Sequence, residues 1–275
     1  MCKRVSILLI VFGLFCSMTI SVGTASEKPA NGQTARKDSI RQLAVNESFK
    51  PVRGTHYYDV FLGNVKLGKA TISVQQEGES YTVKVEARTN RAIRALYKIR
   101  YRGTSVVNHD PLIPQTVTIM EQSGKKRKTI EAEYPAPNRV SSVEVTKKKG
   151  EKTNIKEKEF ESESFLLDPF STVFLIRSLD WQVGDREIFD IFTGKEQFEF
   201  ELYCSQEKVL QINGKSRKSW EIIPSSRTLT EPVKTVMANW AIYLSQDESR
   251  EILQIVGHPK IGKIVAKMRK FESAP

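Results

Sequence analysis

Cysteine is scarce: the 275-residue chain has three, and two of them, Cys2 and Cys16, lie in its apolar opening segment. Cys204 is left with no thiol to pair with, so no internal disulfide staples the rest of the chain and stability must come from a core. Cys204 shares strand parity with Phe198, Phe200 and Leu202, which predicts a small buried apolar side chain rather than a reactive thiol. Histidine is equally sparse. His56, His109 and His258 stand far apart, and none has a second histidine or a cysteine at ligand spacing, so neither a metal nor another cofactor is expected. Nucleophile-elbow, zinc-protease and phosphate-loop motifs are missing. The acidic stretch Glu157 to Glu163 alternates with lysine and serine and reads as a solvated strand end, not as two carboxyls in unlike environments. Asp168 and Ser171 are explained by a helix cap without any nucleophile chemistry. These absences point away from an enzyme.

What is present begins with an export signature. Lys3 and Arg4 precede an apolar run from Val5 to Ile20, and the small residues Gly23 and Ala25 follow. That order predicts a cleavable signal peptide over residues 1–25, cut after Ala25, and a periplasmic location. Cys16 does not mark a lipoprotein, because the bulky Phe15 precedes it. No second apolar run approaches a membrane span. Lys3 and Arg4 leave with the signal and no acid does, so the formal charge falls from +11 to +9. A basic excess suits an anionic membrane surface or an acidic glycan. Nucleic acid is a poor partner for an exported chain with no binding motif.

Residues 26–54 are mostly polar and read as a flexible leader, followed by a single β-rich domain over 55–275. From Thr55 the apolar residues recur with period two. Ala70, Ile72 and Val74 share one side of a strand, as do Tyr81, Val83, Val85 and Ala87. Gly63-Asn64, Gly78, Gly194 and Asn213-Gly214 supply turns. About a dozen short strands are expected, with Gln197 to Ser205 and Val209 to Ile212 as two separate ones. Arg91 to Tyr97 reads as a helical turn. The best helix runs from Asp168 to Leu179, with Asp168 as N-cap and Pro169 at the first helical position. Its apolar surface is too wide for an exposed helix, so it is expected to be buried. The fold class is all-β, mainly antiparallel: a curved sheet or partly closed barrel with one α-helix packed against it.

Two sets of residues carry the functional expectation. Phe170, Val173, Phe174 and Trp181 lie along the apolar helix or just after it and form the candidate ligand groove, although core packing also accounts for them. Lys125, Lys126, Arg127, Lys128 and Lys147, Lys148, Lys149 fall at hairpin ends and form the candidate anionic-surface contact, with solubilising turn charge as the plainer reading.

The order Tyr58, Val60, Leu62-Gly63, Leu67-Gly68 and Ala70, then Tyr81-Thr82-Val83, then the helix Asp168-Pro169-Phe170-Ser171 through Arg177-Ser178-Leu179, resembles a known pattern. It is similar to the DUF3108 family of exported proteins in Gram-negative envelopes. The resemblance implies a β-rich half-barrel of the kind that holds lipids in the periplasm, and it brings no catalytic residues. The combined expectation is a non-enzymatic periplasmic binding protein for an apolar or amphipathic, lipid-like envelope molecule. The alternative is a scaffolding factor of envelope biogenesis that binds a protein or glycan.

Overall fold

The computed structural model describes residues 49–94, 98–108, 112–163, 165–194, 196–229, 235–237, 239–259 and 262–274. The expected signal peptide, the expected leader as far as residue 48, His109 and the end of the Arg91 to Tyr97 segment lie outside these residues. Phe49, within the expected leader, is buried.

The first half of the chain forms β1 (Gly54–Leu62), β2 (Val65–Glu77), β3 (Ser80–Thr89), α1 (Arg91–Arg94), β4 (Ile99–Asn108), β5 (Ile113–Ser123), β6 (Lys126–Ala136), β7 (Arg139–Lys148) and β8 (Asn154–Glu161). The second half forms β9 (Leu166–Leu167), α2 (Ser171–Ser178), β10 (Arg186–Phe192), β11 (Gln197–Ile212), β12 (Lys215–Thr228), β13 (Thr235–Met237), β14 (Trp240–Ser245), β15 (Ile252–Gly257) and β16 (Ile264–Ser273). All sixteen strands belong to one sheet, in the order β8-β7-β6-β5-β4-β3-β2-β1-β16-β15-β14-β12-β11-β10-β9, with β13 added to β12. Neighbours along this order are antiparallel except β9 and β10. The expected pair of strands at 197–205 and 209–212 is one continuous strand, β11. A register shift between Cys204 and Gln206 absorbs the polar stretch that reads as a break.

Alternation produces the inner face. Along β3, Tyr81, Val83, Val85, Ala87 and Thr89 are buried while Lys84, Glu86 and Arg88 are exposed. Ile99, Tyr101, Gly103, Ser105 and Val107 repeat the pattern on β4. Twist and the bulges near Val60 and Cys204 bend this face inward. Cys204 lies on it, fully buried, and burial pushes its thiol up to about 11.

The two edges of the sheet meet. β8 and β9 are opposite ends of the strand order, yet only residues 162–165 join them. Ser162 N–H donates to Asn138 O at 2.8 Å and Leu166 N–H to Pro137 O at 2.9 Å. The Ser162 hydroxyl bonds the Asp190 carboxylate, and the rings of Phe160 and Phe192 lie 5.0 Å apart. A side chain on Gly194 would come within 2.7 Å of Ile130 on β6, so the β10–β11 turn needs glycine to press against the far side of the sheet. The sheet is therefore curved but unclosed, its seam held by side chains and isolated backbone bonds instead of a hydrogen-bond ladder.

α2 fills the interior. The helix starts at Ser171, later than expected, and Asp168 holds the turn that leads into it: Oδ1 accepts Phe170 N–H at 2.6 Å and Ser171 N–H at 3.1 Å, and Oδ2 accepts the Ser105 hydroxyl of β4 at 2.8 Å. Burial pushes the Asp168 carboxyl above its ordinary value, and these hydrogen bonds oppose the shift. Phe170 seats on β4 at Gly103, where a Cβ would sit 1.9 Å from its ring. At the other end of the helix, Arg177 donates to Arg250 O at 2.8 Å and to Ser249 O at 3.0 Å, with its guanidinium 5.6 Å from the Phe49 ring centre. Arg250 in turn bonds Leu179 O and Asp180. The helix is thus tied to β4 at one end and to the β14–β15 turn at the other.

Candidate functional site

The apolar set is built into the core. Phe170 is 1% exposed and its ring lies 6.4 Å from Tyr101. Phe174 packs 5.3 Å from Tyr81. Trp181 is buried and its indole N–H donates to Ile176 O at 2.8 Å. Val173 alone of the four is half-buried. The surfaces these aromatics present are taken up by the protein's own strands.

The basic set assembles at one end of the sheet. Cross-strand register places Lys126 opposite Lys148 and Arg127 opposite Lys147, so the β5–β6 and β7–β8 tips stand side by side. Lys125, Lys126, Arg127, Lys147 and Lys149 are exposed, and none has an acidic partner among the described residues. Lys148 pairs with Glu151. Lys128 departs from the expectation: its parity matches Ile130 and Ala132, so it points inward and meets Glu121 at 3.2 Å, with both residues buried. That parity was readable in the sequence, but the run of basic neighbours obscured it.

Register also gathers cations that lie far apart in the chain. On the outer face, Lys69 stands opposite Arg88, Arg88 opposite Arg100, Arg100 opposite Gln122, Gln122 opposite Arg127, and Arg127 opposite Lys147. At about 4.8 Å per strand, this row across β2–β7 spans about 24 Å. One step nearer the tips lie Lys98, Lys125 and Lys149 on the same outer parity, and Arg91 and Arg94 are exposed in the β3–β4 connection. One step away from the tips the charge is already balanced, by Glu86 with Arg102 at 2.7 Å. At the opposite end of the barrel three arginines are paired, Arg217 with Asp247 at 2.6 Å, Arg250 with Asp180 at 2.8 Å, and Arg139 with Glu161 at 3.3 Å, while Lys215 and Lys218 are exposed and form no ion pair among the described residues.

A second polar cluster lies at that end. His56 Nε2 is 3.2 Å from Glu251 Oε1, and Arg217 reaches Glu251 Oε2 at 2.9 Å. Burial draws His56 below its ordinary value, and the contact with His56, followed by Arg217, draws Glu251 down despite its own burial. His56 is buried on β1. Its partner is 195 positions later in the chain, so no local signal could have shown it. Among the described residues no group of three or more His, Cys, Asp or Glu side chains is placed to hold a metal.

An antiparallel sheet wrapped around one buried helix, sealed by side chains along its seam, defines a β-barrel-like protein. The same architecture is seen in the crystal structure of a β-barrel-like protein of domain of unknown function DUF1849 from Brucella abortus. That structure is 11% identical, covers 82% of this chain and 99% of its own, and superposes with a TM-score of 0.54. No curated protein matches the sequence. Residues 57–269 match the DUF3108 family, described as a protein of unknown function, and the chain belongs to that family.

Proposed function

We propose that the protein is a non-enzymatic binding protein of the periplasm that takes a lipid-like envelope amphiphile by its anionic head at the basic end of the barrel. The observation that carries this reading is the adjacency of the two hairpin tips. Lys125, Lys126, Arg127, Lys147 and Lys149 stand at these tips with no ion pair among the described residues, while Glu151 there is taken by Lys148, leaving an excess of positive charge. The packing of Phe170, Phe174 and Trp181 in the core supports recognition at the charged rim over recognition along the helix. Anionic headgroups gain about 1 kcal/mol per neighbouring lysine or arginine, so contacts to all five tip cations correspond to a Kd of about 0.2 mM. Native mass spectrometry with a water-soluble, short-chain phosphatidylglycerol is the direct test. Saturable adducts that phosphatidylcholine does not form, lost in K125E/K126E/K149E, are expected. Equal binding of the two lipids, or none, overturns the proposal. Retention on an acidic glycan without amphiphile binding would instead favour the scaffolding alternative.

A further inference from the structure

We infer that the outer-face cation row on β2–β7 docks this end of the barrel on an anionic bilayer surface, so that the barrel stands with its basic end toward the lipid. This rests on the proposed reading of the basic end and adds to it a partner, a pose and residues outside the hairpin tips: Lys69, Arg88 and Arg100.

Three observations converge. The row is unpaired: Lys69, Arg88, Arg100, Arg127 and Lys147 are exposed and form no ion pair among the described residues, and Asp59, opposite Lys69, is taken by Lys66 at 2.6 Å. The row is also a cost to the fold, because like charges directly opposite on neighbouring strands repel; Lys69 against Arg88, Arg88 against Arg100 and Arg127 against Lys147 do so in succession. Finally, the charge is confined in depth. The row and the tip residues Lys98, Lys125 and Lys149 are two residues apart along their strands, about 7 Å, which is within one Debye length of about 8 Å at physiological salt. A bilayer surface facing this end therefore attracts both levels at once, while the balanced Glu86–Arg102 level beyond contributes little. A row of cations confined to one end of the adjacent strands β2–β7 orients the barrel in the field of such a surface.

The test is flotation of the protein with vesicles of phosphatidylglycerol and phosphatidylcholine, compared with vesicles of phosphatidylcholine alone. Binding to the anionic vesicles alone, weakening steeply with salt, is expected. K69Q/R88Q/R100Q should weaken it by on the order of a hundredfold, at about fivefold per charge, and K69E/R88E/R100E should abolish it. Relief of the cross-strand repulsion should leave the glutamine variant at least as stable as the parent in thermal unfolding, a combination that a merely structural role would not give. Short-chain phosphatidylglycerol adducts in native mass spectrometry should persist in both variants, because the tips are intact. Vesicle binding at parental strength in the charge-reversed variant, or equal binding to phosphatidylcholine, overturns the docking inference. Loss of the short-chain adducts from the parent protein overturns the proposed function instead.

Discussion

Removal of the Asp168 carboxylate probes how the interior helix is held. In Asp168→Ala the Phe170 and Ser171 N–H groups and the Ser105 hydroxyl lose the acceptor they share. Phe170 is 1% exposed and Ser171 and Ser105 are fully buried, so water cannot replace it. Loss of an N-cap costs about 1 kcal/mol, and each donor left buried and unsatisfied costs about 1–3 kcal/mol. The mutation also removes a buried carboxyl that burial already disfavours as an anion, which offsets part of this. The Thr172 N–H bond to Asp168 O survives. The net loss is about 3 kcal/mol. With a urea slope of about 2–3 kcal/mol per M, the unfolding midpoint falls by about 1 M. Asp168→Asn keeps an acceptor for both N–H groups and can donate to Ser105 Oγ, so it should stay within about 1 kcal/mol of the parent. Equilibrium urea unfolding followed by tryptophan fluorescence measures both. A loss under about 0.5 kcal/mol in the alanine variant, or equal losses in the two variants, would refute the capping account.

Gly103→Ala drives a methyl group into the Phe170 ring and should destabilise by at least about 1–3 kcal/mol. Gly103→Ala with Phe170→Leu should recover part of that in the same unfolding assay, and no recovery would show that the clash lies elsewhere. Lys128→Met leaves Glu121 unpaired in the interior and should cost about 3–5 kcal/mol, whereas Lys128→Met with Glu121→Leu should be much less harmful; equal melting temperatures for the two would disprove the buried pair. The His56–Glu251 cluster sets a pH dependence. Both groups are held below their ordinary values of 6.5 and 4.5, so the unfolded chain binds more protons and stability is lost as pH falls. The melting temperature should drop first as pH passes below about 6.5, where unfolded histidine charges, and again below about 4.5. His56→Gln should flatten the first step, and an unchanged step would assign it to other groups.

The inner face was legible wherever burial is one-sided. The parity of Tyr81, Val83, Val85 and Ala87 specified which side of β3 is wet, and Asp168-Pro169 marked the turn into the helix because a capping Asp and a proline are local signals. β9 was not legible: Leu166 and Leu167 give no alternation, and their parallel pairing with Asp190 and Ile191 depends on the whole sheet having curled round. The site divides in the same way. The lysine-rich tips stand out as runs, but Lys69, Arg88 and Arg100 are isolated cations that become neighbours only through strand register. His56 and Glu251 meet only because β1 and β15 flank the same strand, β16.

The side-chain seam also sets where this molecule breathes. Every interior strand is gripped on both flanks, but β8 has a partner only in β7, is nearly all exposed, and touches the other edge through little more than Phe160 and the Ser162–Asp190 bond. Amide hydrogen exchange should therefore be fastest along that meridian and slowest diametrically across the wall. The alternating Lys156, Glu157, Lys158 and Glu159 keep a foreign strand from annealing to the edge while it is loose. A wall that unlatches along one line gives the enclosed helix a route to loosen without melting the remaining fifteen-odd strands.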